Sequence, residues 1–328
     1  MKKFKYYILT SSSNEYLLER HISEEWSNIP KEDVVVVINT LDDIAEKKCA
    51  EWCESKEIEY HITESDGTPA RGKNSVIELF LESDNEYMVM VDGDDFITPH
   101  GTVFFSELAK MDSPPDAITM KNQWGSVIKP EAVAEKYQTD SKGHLQATYY
   151  RPFTVDDWDD FLPNFISGLV TNLTLRQNVE YDKAIKYTAW SEQYYTKQKT
   201  YSEPNEVHCR ITWLSKKAVK SHRFLEDHRI GEDTLFYYKL KNDAINGKLD
   251  FKVHNEVPFC TYVYDQVSNP GSIVATTTQG GRYMDWMEGF NAKIDEYESS
   301  GILHANKSLP IIQVKYPDDY TPYVNLIK

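Results

Sequence analysis

The chain has 328 residues, 40% of them hydrophobic, enough for one large α/β core or a core with an appendage. Lys and Arg number 36 against 52 Asp and Glu, and the net charge of −16 excludes a general basic nucleic-acid surface, though not a local basic groove. No apolar run approaches the roughly 18–20 residues of a membrane span, and the opening MKKFKYYILTSSSNEY is too polar for a signal peptide.

Phe4 to Thr10 is a short apolar run closed by the polar cluster Ser11-Ser12-Ser13-Asn14, which reads as a strand and its exit. Glu15 to Trp26 has helical spacing through Leu18, Ile22 and Trp26. Asp33 to Asn39 carries five β-branched residues in succession, the pattern of a strand buried on both faces. Asp42 to Lys56 follows as a helix with Cys49 and Cys53 one turn apart, a spacing that reads as ordinary packing. With Cys209 and Cys260 these make four cysteines and no CxxC pair, so reduced thiols and a cytoplasmic setting are expected. The N-x-S/T triplets at Asn172 and Asn306 then carry no meaning. Glu59 to Thr63 is a weak strand, Asn74 to Glu82 a helix, and Tyr87 to Val91 another buried strand.

This alternation predicts an α/β fold with a doubly wound, mostly parallel sheet. Ligands in such sheets sit beyond the carboxyl ends of the strands. Those ends are Thr10-Ser11, Asn39 to Asp43, and Asp92 to Asp95.

After Asp112 the pattern changes to a polar stretch rich in Tyr and Trp, including Trp158 and Trp190, and alternation returns near Val207. The expected organisation is therefore a ligand-binding half over 1–111, an aromatic-rich insertion over 112–206, the rest of the sheet over 207–273 and a helical extension over 274–328. Arg282 to Tyr297 supplies the extension's amphipathic helix, with Tyr283, Met287, Phe290, Ile294 and Tyr297 on one stripe.

Three constellations could carry chemistry. Val91-Asp92-Gly93-Asp94-Asp95 places three carboxylates at a strand end, where they need a compensating cation or strong donors. Hard oxygen ligands suit Mg²⁺ or Mn²⁺, and the spacing excludes a calcium EF-hand. A plain acidic turn is the simpler alternative. Gly67-Thr68-Pro69-Ala70-Arg71-Gly72-Lys73-Asn74 is a near miss to the phosphate loop of kinases and nucleotide triphosphatases. Asn74 stands where a hydroxyl should bind Mg²⁺, and Pro69 removes an amide. The segment can instead bring Arg71 and Lys73 toward a diphosphate, with Asn74 opening the helix. The stretch His228-Arg229-Ile230-Gly231-Glu232-Asp233-Thr234-Leu235-Phe236 looks like a helix start, for which the acids would be simple dipole partners.

In order and spacing the three together resemble the family-2 glycosyltransferases with the GT-A fold. The carrying residues are Gly67 to Asn74, then Tyr87 to Pro99 (YMVMVDGDDFITP), then Arg223-Phe224-Leu225-Glu226 with Gly231-Glu232-Asp233. Ile211 to Lys217, and Tyr262-Val263-Tyr264 with Ser272-Ile273, agree as flanks. The resemblance covers roughly 3–110 and 206–273. Two positions depart from it: the usual Asp pair after the second strand reads Asn39-Thr40-Leu41-Asp42-Asp43, and Lys73 replaces an Arg, losing its bidentate fork.

The resemblance implies a metal-dependent, inverting transferase using a nucleotide-diphospho-sugar, UDP-linked by preference, with Mn²⁺ or Mg²⁺. It implies donor contacts at Thr10, Ser11, Asn39, Asp42, Asp43, Arg71, Lys73, Asn74, Asp92 and Gly93. It puts Asp94 on the metal, Asp92 at the ribose or the metal, and Asp95 on the metal or just behind it, with His254 or His228 as candidates to complete the site. Asp233 would be the base for the acceptor hydroxyl, with Glu232 as neighbour. The aromatic middle, through Trp158 and Trp190, suits an acceptor, expected to be a glycan. In general character the chain is also similar to glycosyltransferases of tailed bacteriophages that modify hydroxymethylated cytosine in DNA. No motif carries that likeness, and the net charge of −16 counts against a duplex acceptor. A phosphate-loop enzyme and a catalytically dead sugar-binding module remain as alternatives.

Overall fold

A computed structural model describes residues 1–11, 15–23, 27–97, 99–120, 122–128, 137–139, 145–147, 186–191, 212–228, 231–254, 259–265, 282–304, 307–318 and 320. A seven-stranded sheet forms its centre, made of β1 (Phe4–Thr10), β2 (Val34–Ile38), β3 (Glu59–Ile62), β4 (Tyr87–Asp92), β6 (Ala117–Met120), β11 (Trp213–Ser215) and β12 (Phe251–His254). Their order is β12-β6-β11-β4-β1-β2-β3, and only β11 runs antiparallel to its neighbours.

Alternation of side chains explains why these strands sit in the middle of three layers. Tyr6 and Ile8, Val34, Val36 and Ile38, Val89 and Val91, and Trp213 all enter one core. Tyr7, Val35, Val37, Met88 and Leu214 enter the other. α2 (Asp43–Lys56) and α4 (Pro99–Lys110) cover the first face through Cys49, Trp52, Cys53, Phe104, Phe105 and Leu108. α1 (Glu15–Ile22) joins that face through Leu18. The second face is covered by α3 (Pro69–Glu82), α5 (Lys216–Lys220), α6 (Glu232–Ile245) and α7 (Arg282–Ser299). The expected mostly parallel sheet flanked by helices is therefore present.

Asp116, just ahead of β6, ties the late strands together. Its carboxylate accepts from Ser215 Oγ at 2.9 Å and from the Asp250 amide at 3.0 Å, and pairs with Lys217 at 2.8 Å. β6 thus belongs to the main sheet, although the sequence places this stretch at the start of the insertion. β5 (Phe96–Ile97), β7 (Asn122–Ile128), β10 (Lys186–Ser191) and β13 (Cys260–Asp265) build a second sheet of order β10-β7-β13-β5. β8 (Tyr137–Thr139) and β9 (Leu145–Ala147) pair with each other. The remainder of the aromatic segment, Trp158 included, lies outside the described residues.

Cys49, Cys53 and Cys260 are buried free thiols, and burial together with Cys49 pushes the Cys53 thiol up to about 12. Cys209, Asn172 and Asn306 lie outside the described residues. No described helix is long and apolar enough to cross a membrane.

Candidate functional site

β4 delivers Asp92 to the carboxyl edge of the sheet, and the chain turns there at once. The Gly93 amide donates to Leu9 O at 2.7 Å, and the Asp95 amide donates to Asp92 O at 3.0 Å. A Cβ on Gly93 would stand 2.7 Å from the same Leu9 carbonyl, so only glycine lets β1 pass this close. Asp92 and Asp94 remain half-buried, whereas Asp95 is buried.

The segment read as a near phosphate loop is the start of a helix. Thr68 caps α3, its hydroxyl accepting from the Arg71 amide at 3.2 Å, and Pro69 occupies the first turn. α3 therefore begins five residues before Asn74, which corrects the expectation that Asn74 opens it. Lys73 and Asn74 lie inside the helix, and both are buried. An amide-lined phosphate loop is absent here, because the Gly67, Thr68, Arg71 and Gly72 amides donate to Ser65 Oγ, Asp66 Oδ1, Thr68 Oγ1 and Thr68 O.

Lys73 has partners more than 150 residues away. Its Nζ lies 2.9 Å from Glu232 Oε1 and 2.5 Å from Asp233 Oδ1, both on the first turn of α6, and 3.8 Å from Asp92 Oδ2. One ammonium thus joins the acidic end of β4 to the acidic start of α6. Burial alone would lower the Lys73 pKa, but Asp233, Asp92 and Glu232 together hold it well above the ordinary lysine value. Asp233 is pushed the other way. Burial, with Glu232 and Asp92 nearby, raises it from 3.8 to about 7 even against the Lys73 charge. Gly231 adopts φ +71° before α6, and a Cβ there would strike the Phe290 ring. The two acids, which also suit the helix dipole, turn their carboxylates to Lys73.

Asn74 has a different task from the donor contact expected of it. Its amide nitrogen donates to Phe224 O at 3.0 Å and to Glu226 Oε1 at 2.7 Å, while its oxygen accepts from the Phe224 amide at 2.9 Å. It clamps the segment leading into α6. Arg71 lies 3.7 Å from Glu226 and 3.5 Å from Glu78, at the rim of the same contact. Phe224 stacks on Phe236 at 4.1 Å and offers its ring to Lys73 at 5.5 Å.

The other expected donor residues line the neighbouring strand ends. Thr10 is buried at the end of β1 and Ser11 is exposed. The Asn39 side chain donates to Thr63 Oγ1 at 2.9 Å and Glu64 O at 3.0 Å, stitching β2 to the exit of β3. Asp42 caps α2 by accepting from the Ile44 and Ala45 amides at 2.9 and 3.1 Å. Asp43 is exposed beside it.

The histidines stand apart from the acidic turn. His254 ends β12, three strands from β4 and so about 14 Å away laterally at the usual spacing. It is buried against Phe104 at 4.4 Å, with Phe259 and His100 close by, which removes it from a site on Asp92. His228 pairs with Asp227 at 3.1 Å. Among the described residues no group of three or more His, Cys, Asp or Glu converges as a metal cage. Trp190 falls in β10 opposite Gln123, and its side chain is not among the described parts of that strand.

Sequence reading missed two residues that grip the turn. Arg20 Nη2 donates to Asp94 O at 3.2 Å, and His21 Nε2 lies 3.4 Å from Gly93 O. The available signal is a basic pair on a short helix whose other residues read as packing.

No protein-family model matches the chain, and no curated protein matches it by sequence. Solved structures resemble it loosely. TarS of S. aureus overlaps at TM-score 0.43 and 15% identity, over 82% of this chain and 38% of that one. TarS 1–349 in complex with UDP-GlcNAc overlaps at 0.41 and 15%, over 80% and 59%. The mannosyltransferase PcManGT of Pyrobaculum calidifontis, in complex with GDP-Man and Mn²⁺, overlaps at 0.28 and 16%, over 36% and 35%. The chain spans between 38% and 62% of the length of these TarS chains.

Proposed function

We propose that the protein is a glycosyltransferase that moves a sugar from a nucleotide-diphospho-sugar, UDP-linked by preference, to a hydroxyl acceptor. One observation carries the reading: the Asp233 carboxylate, on the first turn of α6, is joined through Lys73 to the acidic end of β4, and burial raises its pKa. A base poised near neutrality beside a strand-end ligand edge suits removal of a hydroxyl proton. The order of the sequence motifs supports the same assignment.

The donor set fits a hard divalent cation. Asp92 and Asp94 bring half-exposed carboxylates to one turn, and Mg²⁺ or Mn²⁺ commonly takes one or two carboxylates with substrate phosphates. Asp92 and Asp94 would hold the ion, with the buried Asp95 behind them. An ion held there would supply positive charge to the departing diphosphate. Asp233 accepts the proton of the acceptor hydroxyl. The hydroxyl oxygen then bonds to the anomeric carbon as the carbon–oxygen bond to the diphosphate breaks and its electron pair leaves with the nucleotide. A single displacement of this kind inverts the anomeric centre. Lys73, anchored also on Glu232, holds Asp233 in place.

The favoured acceptor is a glycan, approached from the 112–206 segment with Trp158 and Trp190; hydroxymethylcytosine DNA is the alternative. Purified protein incubated with UDP- and GDP-sugars, Mn²⁺ and either acceptor class tests the reading, with NMR of the product anomer. Metal-dependent UDP release with inversion is expected, and Asp94→Asn should abolish Mn²⁺-dependent donor binding. Preference for ATP, or UDP binding with no turnover on any acceptor, would overturn the transferase assignment. A retained configuration would overturn the single displacement.

A further inference from the structure

The turn after β4 is held from both faces of the sheet. From the α3 and α6 side, Lys73 reaches the Asp92 side chain at 3.8 Å. On the opposite face, α1 reaches the turn's backbone: Arg20 donates to the Asp94 carbonyl at 3.2 Å, and His21 lies 3.4 Å from the Gly93 carbonyl. Arg20 is 1% exposed and His21 is wholly buried. A buried guanidinium is costly unless charge or strong acceptors surround it. Here it lies next to a turn bearing three carboxylates and spends a donor on a carbonyl of that turn. His21 is held neutral, because burial and the adjacent Arg20 lower it to about 3, so its Nε2 can donate as an N–H.

We infer that Arg20 and His21 are positioning residues for the acidic turn, fixing the backbone of Gly93 and Asp94 so that the carboxylates of Asp92 and Asp94 are preorganised for a divalent cation. Preorganisation matters because a loose turn must be ordered during binding, which weakens affinity without removing any ligand. The cation's role rests on the glycosyltransferase reading, whereas the grip on the turn rests on the contacts alone.

The test compares Arg20→Met, Arg20→Lys and His21→Asn with Leu18→Ala, a buried change in the same helix that serves as a control for lost packing. Amide hydrogen exchange across 92–97 is measured at matched global stability in urea, and Mn²⁺ affinity is measured by calorimetry without nucleotide sugar. Arg20→Met should speed exchange of the turn and weaken Mn²⁺ binding by about tenfold each, the worth of one charge-assisted hydrogen bond. Arg20→Lys should recover part of both losses, His21→Asn should lose less, and Leu18→Ala should leave both near wild type. Equal behaviour of the Arg20 variants and Leu18→Ala would overturn the inference. If Arg20→Met does not fold, Arg20→Lys and His21→Asn decide on the same comparison. A wild-type protein that turns over no nucleotide sugar would sink the transferase reading alone, since the exchange measurement still decides the grip.

Discussion

At the scale of single residues, Asp233 and Lys73 decide how the site behaves with pH. Asp233→Asn should lower kcat by about 10²–10⁴-fold, the usual worth of a positioned base, while calorimetric binding of UDP and Mn²⁺ stays near wild type. Glu232→Gln should cost less, because it removes a neighbour and leaves the base. The base works only when ionised, so kcat/KM should rise with pH through about 7, the value to which burial lifts Asp233. Lys73 opposes that lift, so Lys73→Met should move the acid limb to higher pH. A limb that stays in place would mean that another group titrates. Stability follows the opposite sign. The folded state holds the Asp233 proton more tightly than the unfolded chain, so this group's contribution to stability falls between about pH 4 and 7 as pH rises.

At the scale of elements, the first two turns of α3 show what the sequence displays and what it conceals. Thr68 followed by Pro69 is a helix start by capping chemistry, yet the two glycines Gly67 and Gly72 make the stretch read as a loop. Only the packing discloses why Gly72 is there: a Cβ would crowd Leu9 at 3.0 Å and Asn39 at 3.2 Å. Asn74 resembles a ligand contact in the sequence, because its partners Phe224 and Glu226 lie about 150 residues further on. Asn74→Ala strips the Phe224 amide and carbonyl of their partners inside a buried contact. It should cost about 3 kcal/mol in urea unfolding, whereas Thr68→Ala should cost about 1. Equal losses would make Asn74 an ordinary helix residue. β2 is legible for the opposite reason: five consecutive buried residues, four of them valine and the last isoleucine, admit few other structures.

At the scale of the molecule, strand–helix alternation reveals the parallel half of the sheet and the location of its ligand edge. It cannot reveal that β6 and β11 complete that sheet in reversed sequence order, since pairing between distant short strands leaves no local periodicity. The link from Asp92 through Lys73 to Asp233 is hidden for the same reason, although each of its residues stands in a motif of its own. For the aromatic segment, Trp158→Ala should raise the acceptor KM more than the donor KM. An effect on stability alone would put that tryptophan in a core.

The strand order also sets a timetable for synthesis. β1 to β4 lie within residues 4–92 and can pair as they leave the ribosome. β6 emerges soon afterwards, but its two neighbours, β11 and β12, begin only at residues 213 and 251. At ~5–20 residues per second, β6 waits roughly 5–20 s with neither edge covered, and the outer edge of β4 waits with it. Unpaired strand edges of this kind recruit other chains. Translation speed over the segment between β6 and β11 therefore bears on yield: slowing it lengthens the exposure, and a holdase chaperone engaging chains halted before residue 213 should protect them. The acidic end of β4 is made early and spends that interval without the helix that later faces it across Lys73.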